Sequence, residues 1–261
     1  MSSEGLTAPI WLLGCGNMGG ALLRRWLAAD MGPVAVIDPA PRDVPEGVFA
    51  SSAPPAGRPD VLVLAVKPQL WRDAVAPLLP RLGAMTIIVS VMAGVTTAAL
   101  TEIFPGAAIV RAMPNTPAAI GQGVTALFTT AGDLAEGAAE ALFGPAGATV
   151  WLRDEGDFDA VTAVSGSGPA YVFAFIEALA AAGVAAGLEP GLAERLARAT
   201  VQGAAALAAA ESGTAARVLR ERVTSPKGTT EAGLAVLLPG LVPLVGTTVA
   251  AAAERSRRLA G

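Results

Sequence analysis

The pattern of the chain changes near residue 151. Before that point, short apolar runs alternate with helix-like stretches, as in repeated β-α-β units. After it, the strand-like runs stop and long segments rich in Ala and Leu follow. Short apolar strands separated by helices predict a parallel sheet covered on both faces. We therefore predict an α/β domain over residues 1–155 and an all-α domain over residues 156–261.

The predicted elements follow from this pattern. Strands are predicted at Ile10–Leu13, Val34–Ile37, Val61–Val66, Thr86–Val89, Ala108–Arg111 and Val124–Phe128. Helices are predicted at Ala21–Ala29, Gln69–Leu79, Thr96–Phe104, Tyr171–Ala186, Pro190–Ala210, Ala215–Arg222 and Thr229–Leu238. The Pro and Gly content of Ala40–Gly47 and Ser51–Pro59 predicts loops.

Composition excludes several kinds of chemistry. The 261 residues contain no His, which excludes Ser-His-Asp and Cys-His catalysis, imidazole acid–base chemistry and His-ligated zinc. The single cysteine, Cys15, excludes a disulfide framework, and we predict no metal site. The net charge is −4, and the arginines are scattered apart from Arg255, Arg257 and Arg258. We therefore predict no nucleic-acid partner.

The apolar share of 53% makes a membrane span the first alternative to consider. The longest uncharged run, Ala232–Ala253, is long enough to span a bilayer, but Pro, Gly and Thr residues interrupt it. We favour helices that are buried on most faces, as a subunit interface would require, and predict no membrane partner. Met1–Pro9 lacks the basic start of a signal peptide, so we expect a cytoplasmic enzyme.

A glycine-rich fingerprint follows the first predicted strand. Gly14-Cys15-Gly16-Asn17-Met18-Gly19 has the form GxGxxG, and a predicted helix follows it. In dinucleotide-binding proteins the three glycines permit a tight turn, the approach of the pyrophosphate and close helix–strand packing. Asp38 ends the second strand, where an acidic side chain would bind the ribose 2′-hydroxyl. Asp38 favours NADH, whereas the nearby Arg42 leaves NADPH open.

Four further segments accompany the fingerprint. They are Leu64-Ala65-Val66-Lys67-Pro68, Arg111-Ala112-Met113-Pro114-Asn115-Thr116-Pro117, Ser165-Gly166-Ser167-Gly168-Pro169-Ala170-Tyr171 and Val223-Thr224-Ser225-Pro226-Lys227-Gly228-Thr229-Thr230. In this order and spacing the chain resembles the pyrroline-5-carboxylate reductases over nearly its whole length. The resemblance implies a Rossmann-like N-terminal domain and an all-α C-terminal dimerisation domain. It also implies a homodimer or a larger assembly of dimers, and reduction of 1-pyrroline-5-carboxylate, a small imino acid, to L-proline by NADPH or NADH.

The resemblance also implies the site residues. Its cofactor positions fall on Gly14, Gly16, Asn17, Met18, Gly19, Asp38, Ala65, Val66, Lys67, Pro68, Ala93, Gly94 and Asn115. Its substrate positions fall on Gly228, Thr229 and Thr230, with Ser225 and Tyr171 as secondary candidates, and Glu155 matches an acidic position that could meet the substrate. The alternatives are a helix cap for Thr229 and Thr230, a packed aromatic for Tyr171 and a solvated linker charge for Glu155.

The chain departs from the family at two positions. Lys227-Gly228 replaces the usual Gly-Gly, and a Lys at positive φ costs about 1 kcal/mol. Met92 replaces a small residue, which would narrow the nicotinamide pocket. Lys67 and Lys227 are the only lysines, and each could be an ordinary surface residue. We hypothesise that Lys227 adds a positive charge at the rim of the substrate site.

The chemistry of an imine suits a chain without His. An imine can enter already protonated, so the protein need not supply a strong acid, and the cofactor supplies the hydride. The resemblance implies that Thr230 bonds the ring nitrogen. The N–H groups of Gly228, Thr229 and Thr230, at a predicted helix start, would bind the substrate carboxylate. The alternatives are an oxidoreductase like the hydroxyacid dehydrogenases, which normally needs a positioned Lys or His acid, and a non-catalytic dinucleotide-binding regulator.

Overall fold

The computed structural model describes residues 7–260. Internal contacts divide them into two compact units. The first runs to Ser167 and resumes at Ala252, and the second comprises Gly168–Ala251. The predicted domain boundary after residue 155 stays a prediction. The division into units rests on contacts within one chain, whereas the predicted second domain was defined by its role in dimerisation and substrate binding.

A sheet forms the centre of the first unit. Its strands are β1 (Ile10–Leu13), β2 (Val34–Ile37), β3 (Phe49–Ser51), β4 (Val61–Leu64), β5 (Ile87–Ser90), β6 (Ile109–Met113), β7 (Gly123–Thr129) and β8 (Gly147–Trp151). They lie in the order β3-β2-β1-β4-β5-β6-β7-β8. The first six strands thus have the order 3-2-1-4-5-6 of a doubly wound dinucleotide-binding fold. All six predicted strands are present, β1 and β2 with the predicted bounds, whereas β3 and β8 were not predicted.

The sheet is not wholly parallel, which corrects the prediction. β7 pairs antiparallel with β6, and β8 then pairs parallel with β7. The reason is the short connection between β6 and β7, residues 114–122, which holds only a 3₁₀ turn at Thr116–Ile120. A parallel return needs a crossover of a dozen or more residues, so β7 must run back along β6.

Helices cover both faces of the sheet, as predicted. They are α1 (Asn17–Ala28), α2 (Trp71–Val75), α3 (Thr97–Ile103), α4 (Asp133–Phe143) and α5 (Phe158–Val161). In β1, Ile10 and Leu12 belong to one apolar cluster, whereas Trp11 and Leu13 belong to a second cluster. Because successive strand side chains point to opposite faces, the two clusters are the two covered faces of the sheet. Helix α2 is shorter than the predicted Gln69–Leu79, and α4 was not predicted.

The second unit is helical. It contains α6 (Gly168–Ala185), α7 (Pro190–Ala210), α8 (Ala216–Arg222) and most of α9 (Thr229–Ala260). The bounds of α7 are those predicted, since Pro190 occupies its first turn and the Glu189 carboxylate accepts a hydrogen bond from the Leu192 N–H at 2.9 Å. Within these helices few side chains are buried: α6 and α8 have none, and α7 has Ala193 and Ala197.

The last helix corrects a second prediction. Instead of ending at Leu238, α9 continues through Pro239 and Pro243 to Ala260. A proline in a helix interior removes one backbone hydrogen bond and crowds the preceding turn, at a cost of about 3 kcal/mol in an isolated helix. Propensity is only a weak guide to where a helix ends, and the apolar run on both sides of the two prolines is helical throughout.

Two helical stretches are long and apolar enough to cross a membrane, judged by length and composition only. They are Glu155–Ala185 and Thr229–Leu259, with mean hydropathy of 1.5 and 2.0, and none of their most apolar windows is buried within the chain. The second stretch contains the uncharged run Ala232–Ala253. An apolar helix that packs against another subunit passes the same test.

The aromatic residues are unevenly distributed. All four tryptophans, Trp11, Trp26, Trp71 and Trp151, lie in the first unit. Trp26 is fully buried, and its indole N–H donates to the Leu142 carbonyl at 2.7 Å. The single tyrosine, Tyr171, lies in the second unit.

Candidate active site

The predicted cofactor residues follow the carboxyl ends of five neighbouring strands. They are Gly14, Gly16, Asn17, Met18 and Gly19 after β1, Asp38 after β2, Ala65, Val66, Lys67 and Pro68 after β4, Ala93 and Gly94 after β5, and Asn115 after β6. The parallel strands β2, β1, β4, β5 and β6 are adjacent, so these turns share one edge of the sheet. Open α/β sheets bind their ligands at this edge, beside the point where the strand order reverses.

The glycine loop has the shape that a pyrophosphate requires. Gly14 has a φ of +95°, and a Cβ there would lie 2.7 Å from the Ala65 carbonyl oxygen. A Cβ on Gly16 would meet no atom within 4 Å, so Gly16 borders open space. Gly16 caps α1 without a side-chain hydrogen bond, and no acidic residue lies in the first turn. The N–H groups of that turn therefore remain available to an anion, and the loop fits a dinucleotide.

Asp38 lies against this loop. Its carboxylate accepts hydrogen bonds from the Cys15 N–H at 2.6 Å and from the Ala40 N–H at 2.8 Å. These bonds connect the end of β2 to the glycine loop. Burial and the Asp38 carboxylate raise the pKa of the Cys15 thiol, which keeps Cys15 protonated and unreactive.

Asn115 is buried at the end of β6. Its side-chain oxygen accepts a hydrogen bond from the Val124 N–H at 3.0 Å. Its amide nitrogen donates to the carbonyl and the hydroxyl of Ser165, both at 3.4 Å. Ser165 lies in a single π-helical turn, Thr162–Gly166, in which the Ser167 N–H donates to the Thr162 carbonyl at 2.8 Å. Asn115 thus connects the β6 turn with the segment that leads into α6.

Glu155 is not a solvated linker charge. One of its oxygens, Oε1, accepts from the Thr97 N–H at 2.7 Å and from Arg111 Nη1 at 2.9 Å. The other oxygen, Oε2, accepts from the Thr97 hydroxyl at 2.6 Å. Burial raises the pKa of Glu155, but the bonds from Thr97 and Arg111 outweigh burial and hold the pKa below its ordinary value.

Sequence analysis missed Thr97 and Arg111 as partners of Glu155. The available signal was Arg111 itself, the one charged residue of the otherwise apolar strand β6. Its guanidinium also lies over the Phe158 ring, 4.2 Å from the ring centre. Buried charges in proteins are normally paired, so a charged residue in an apolar strand predicts a partner, although not which one.

The predicted substrate loop lies in the second unit. Lys227 has a φ of +60°, as the resemblance to Gly-Gly loops suggested. A Cβ on Gly228 would collide with the Ser225 hydroxyl oxygen, which explains the glycine there. The Lys227 N–H donates to Glu231 Oε2 at 2.7 Å.

One predicted anion donor is already used. The Gly228 N–H donates to the Ser225 carbonyl at 3.0 Å and closes the turn, so it is not available to a substrate carboxylate. The first turn of α9 leaves the N–H groups of Thr229 and Thr230 without intrahelical partners. Of the three predicted anion donors, only these two remain available.

Two further residues from the sequence analysis, Tyr171 and Met92, lie outside the turns and loops described above. Tyr171 is half-buried in the first turn of α6. Met92 is buried in the apolar cluster that contains Trp11 and Leu13. Within residues 7–260, no group of three or more His, Cys, Asp or Glu side chains could hold a metal ion.

The fold and this edge of the sheet define a dinucleotide-dependent oxidoreductase with a separate helical unit. Two family models match the chain: pyrroline-5-carboxylate reductase dimerisation over residues 155–259, and NADP oxidoreductase, coenzyme F420-dependent, over residues 9–94. A pyrroline-5-carboxylate reductase from Pseudomonas aeruginosa is 40% identical, and the match covers 97% of each chain. The chain belongs to the pyrroline-5-carboxylate reductase family.

Solved structures agree with this assignment. A pyrroline-5-carboxylate reductase from Coxiella burnetii superposes with a TM-score of 0.90 at 33% identity, over 98% of this chain and 99% of that one. A Plasmodium falciparum pyrroline carboxylate reductase with NADP bound has a TM-score of 0.84 at 26% identity, over 98% of this chain and all of that one. The predicted fold class is confirmed, and NAD(P)H is supported as the cofactor. The dimerisation match supports homo-oligomerisation, which accounts for the apolar helices.

Proposed function

We propose that this chain reduces the C=N bond of 1-pyrroline-5-carboxylate to give L-proline, the last step of proline biosynthesis. The observation that carries the proposal is the set of five turns at the carboxyl edge of a 3-2-1-4-5-6 sheet, in a chain that belongs to this reductase family. NADPH or NADH supplies the hydride when bound.

The cofactor would be held by the residues at this edge. The N–H groups at the start of α1 would bind the pyrophosphate, with Gly16 leaving room for it. The turn Ala65–Pro68 would border the cofactor, with Lys67 as an exposed cation. Ala93, Gly94 and Asn115 would line the nicotinamide half of the site.

Asp38 would set the cofactor preference. A carboxylate at the end of β2 repels a 2′-phosphate and accepts hydrogen bonds from a ribose, which favours NADH. Its two bonds to backbone N–H groups hold it beside the glycine loop. Arg42, exposed in the following loop, leaves NADPH possible.

The substrate would be bound by the loop that opens α9. The N–H groups of Thr229 and Thr230 would hold the substrate carboxylate at the positive end of the helix dipole. The Thr230 hydroxyl would bond the ring nitrogen, and Lys227 would add positive charge at the rim. Ser225 and Tyr171 are secondary candidates for contact with substrate.

Two other functions are less well supported. A hydroxyacid dehydrogenase needs a positioned Lys or His acid, and the only lysine after residue 155 is Lys227, in an exposed loop. A non-catalytic dinucleotide-binding regulator would not need a second anion site at the start of α9. Tight cofactor binding without imine reduction would favour the regulator.

The helical unit would form the contacts between subunits. We propose a homodimer or a larger assembly of dimers in the cytoplasm, without membrane or nucleic-acid partners. The exposed apolar faces of α6 and α9 support a partner of the same kind, because Glu177 is the only charged residue of α6 and α9 has none between Glu231 and Glu254. Sedimentation of the purified protein without detergent would test this proposal.

The activity is tested by following oxidation of NADH and NADPH with 1-pyrroline-5-carboxylate. We expect turnover by the wild-type protein and a loss of about 10²-fold or more in kcat/KM for Thr230→Ala. The matched control is Thr247→Ala, farther along α9, where the hydroxyl donates to the Leu244 carbonyl at 2.9 Å. Wild-type protein that binds cofactor but leaves the imine unchanged would overturn the proposal.

A cofactor-binding titration tests the role of Asp38. The ratio of the two cofactor affinities, measured by quenching of tryptophan fluorescence, should shift toward NADPH in Asp38→Asn. An unchanged ratio would remove Asp38 as the residue that sets the preference.

A further inference from the structure

We propose that Arg111 and Glu155 are positioning residues: together they hold the turn Ala93–Gly94 in the geometry that hydride transfer requires. The inference rests on the proposed function, because that function assigns this turn to the nicotinamide half of the site. It removes Glu155 from the candidates for substrate contact and gives a role to Arg111, which sequence analysis had not included among the site residues.

Both oxygens of Glu155 are already in use. Together they accept three hydrogen bonds, two from Thr97 and one from Arg111, at 2.6 to 2.9 Å. The Arg111 side chain is only 6% exposed and that of Glu155 is 22% exposed. A carboxylate held by three donors in a half-buried position is oriented toward the protein and not toward a ligand.

The position of Thr97 explains what the pair holds. Thr97 is the first residue of α3, and its N–H and hydroxyl both donate to Glu155. A carboxylate at a helix N-terminus satisfies an otherwise unpaired N–H group and interacts favourably with the helix dipole. The turn Ala93–Gly94, in which Gly94 has a φ of +76°, lies three residues before Thr97. Because the chain is continuous, holding the first helical turn of α3 in place also restrains the C-terminal end of the Ala93–Gly94 turn.

Arg111 extends the connection to the sheet. It lies on β6, which leads to Asn115, and its guanidinium packs on Phe158 at the start of α5. The pair thus connects β6, the start of α3 and the first turns after β8. Two residues past the end of the same strand, Asn115 bonds Ser165 in the π-helical turn Thr162–Gly166. Two polar links therefore attach the segment from residue 155 to 165 to the edge that carries the nicotinamide turns.

Stability alone does not explain this pair. A buried ion pair can often be replaced by apolar residues of similar volume without loss of stability, because removing charges from water is costly. Here the arrangement also leaves Arg111 Nε buried without a hydrogen-bond partner among the described residues. An apolar pair could not replace the geometry of these hydrogen bonds. The Glu155 carboxylate fixes the position of the Thr97 N–H, whereas apolar contacts have no preferred direction.

The expected consequence is a loss of alignment with cofactor still bound. A displacement of about 1 Å between reacting groups can lower a rate by about 10²-fold. Removal of the pair should therefore lower kcat strongly. The glycine loop and Asp38, which bind the other half of the cofactor, are untouched, so cofactor affinity should change little.

The test compares Glu155→Gln with Glu102→Gln in the full-length protein. Glu102 lies near the other end of α3 and forms an exposed ion pair with Arg72 at 3.1 Å, so its variant also removes one carboxylate that contacts an arginine, but away from the first turn of α3. For Glu155→Gln we expect a 10- to 100-fold lower kcat, about as much as a displacement of 1 Å or less produces, and a cofactor dissociation constant within about 2-fold of wild type. The deuterium isotope effect on kcat with 4-deuterated cofactor should rise, because hydride transfer becomes slower than product release. Glu102→Gln should match wild type in all three measurements.

A second comparison tests whether the two residues act as one unit. Arg111→Gln should resemble Glu155→Gln, and the double variant should lose no more kcat than the worse single variant. Additive losses would show that the residues act separately and would overturn the proposal. A Glu155→Gln variant that raises KM for the imine with kcat unchanged would make Glu155 a substrate contact, which also overturns it.

Hydrogen exchange separates this proposal from the proposed function. If wild-type protein does not reduce the imine, the proposed function fails, and the pair is then tested through the amides of residues 93–99. Faster exchange there in Glu155→Gln, but not in Glu102→Gln, is the expected result with or without turnover. Unchanged exchange in Glu155→Gln would show that the pair does not hold this turn.

Discussion

Strand β4 in the first unit and helix α6 in the second are both strongly apolar, yet they bury their side chains differently. All four residues of β4 are buried by the rest of the chain, whereas no residue of α6 is. The three apolar clusters found in the described residues, with their buried members, all lie in the first unit. The first unit therefore has a core of its own, whereas the second exposes much of its apolar surface, as expected for the dimerisation domain that its sequence matches.

The largest expected effect comes from placing a charge on the uncovered face. Phe173 on α6 is 60% exposed in the chain, and Phe173→Asp would bury an unpaired carboxylate in a dimer. We expect dissociation of the oligomer and a fall in Tm of about 10 °C, from a cost of several kcal/mol. Analytical ultracentrifugation and thermal melts measure both.

The control for this prediction is a still more exposed apolar residue of the first unit. Met85 is 76% exposed, and Met85→Asp should change stability by less than about 0.5 kcal/mol and leave the oligomer intact. Dissociation by Met85→Asp, or none by Phe173→Asp, would contradict the contrast between the units.

Substitutions at two glycines of the first unit should have different effects, one on stability and the other on cofactor affinity. Gly14→Ala places a methyl group against the Ala65 carbonyl at positive φ, so we expect a loss of about 2 kcal/mol or more in stability. Gly16→Ala meets no atom and should fold normally, but its methyl group would occupy the space left for the pyrophosphate. We expect at least a 10-fold weaker cofactor affinity for Gly16→Ala, measured by fluorescence titration beside thermal melts. Normal affinity would remove Gly16 from the cofactor site.

Glu155 makes the stability of the first unit depend on pH. Its pKa is lower in the folded protein than the ordinary value of about 4.5, so its contribution is present above that value and is lost as the pH falls through the folded pKa. Near neutral pH we expect Glu155→Gln to be about 1–3 kcal/mol less stable than wild type. Denaturant unfolding at a series of pH values should show this difference shrinking below pH 4.5. A difference that grows in acid would contradict the assigned direction.

The smallest effect is expected in the proposed substrate loop of the second unit. Lys227→Gly relieves positive-φ strain of about 1 kcal/mol but gives the unfolded chain more freedom, so net stability should change by less than about 0.5 kcal/mol. Loss of a screened rim charge should raise KM for the imine by up to about 5-fold. Lys227→Ala keeps the strain and loses only the charge. An equal rise in KM for both variants would assign the effect to charge, and no rise in either would remove Lys227 from substrate binding.

The contrast between the units also explains which parts of the fold could be predicted. Strands β1 and β2 and helix α7 have the predicted bounds because periodicity and a proline at the helix start are local signals. β3 has three residues and lies at the sheet edge, so its sequence carries little pattern. The direction of β7 depends on the length of a loop, and α9 continues past Pro239 although proline normally interrupts a helix.

The candidate site shows the same division between local features, which the sequence predicts, and long-range contacts, which it does not. Turns after apolar strands could be located from the fingerprint and from the family resemblance. The partners of Glu155 could not, because Arg111 and Thr97 lie 44 and 58 residues away along the chain. Nor could the sequence show that the Gly228 N–H closes its own turn.

The distribution of aromatic residues provides an optical assay for the two units. Because every tryptophan belongs to the unit with the sheet, indole emission reports on that unit alone, while the phenol of Tyr171 belongs to the helical one. If only the tryptophans are excited, a change in their emission would report cofactor binding to the first unit. Association of the helical units would then contribute little to this signal. A single tryptophan introduced into α7 would make assembly visible as a separate signal, so that binding and association could be timed in one sample.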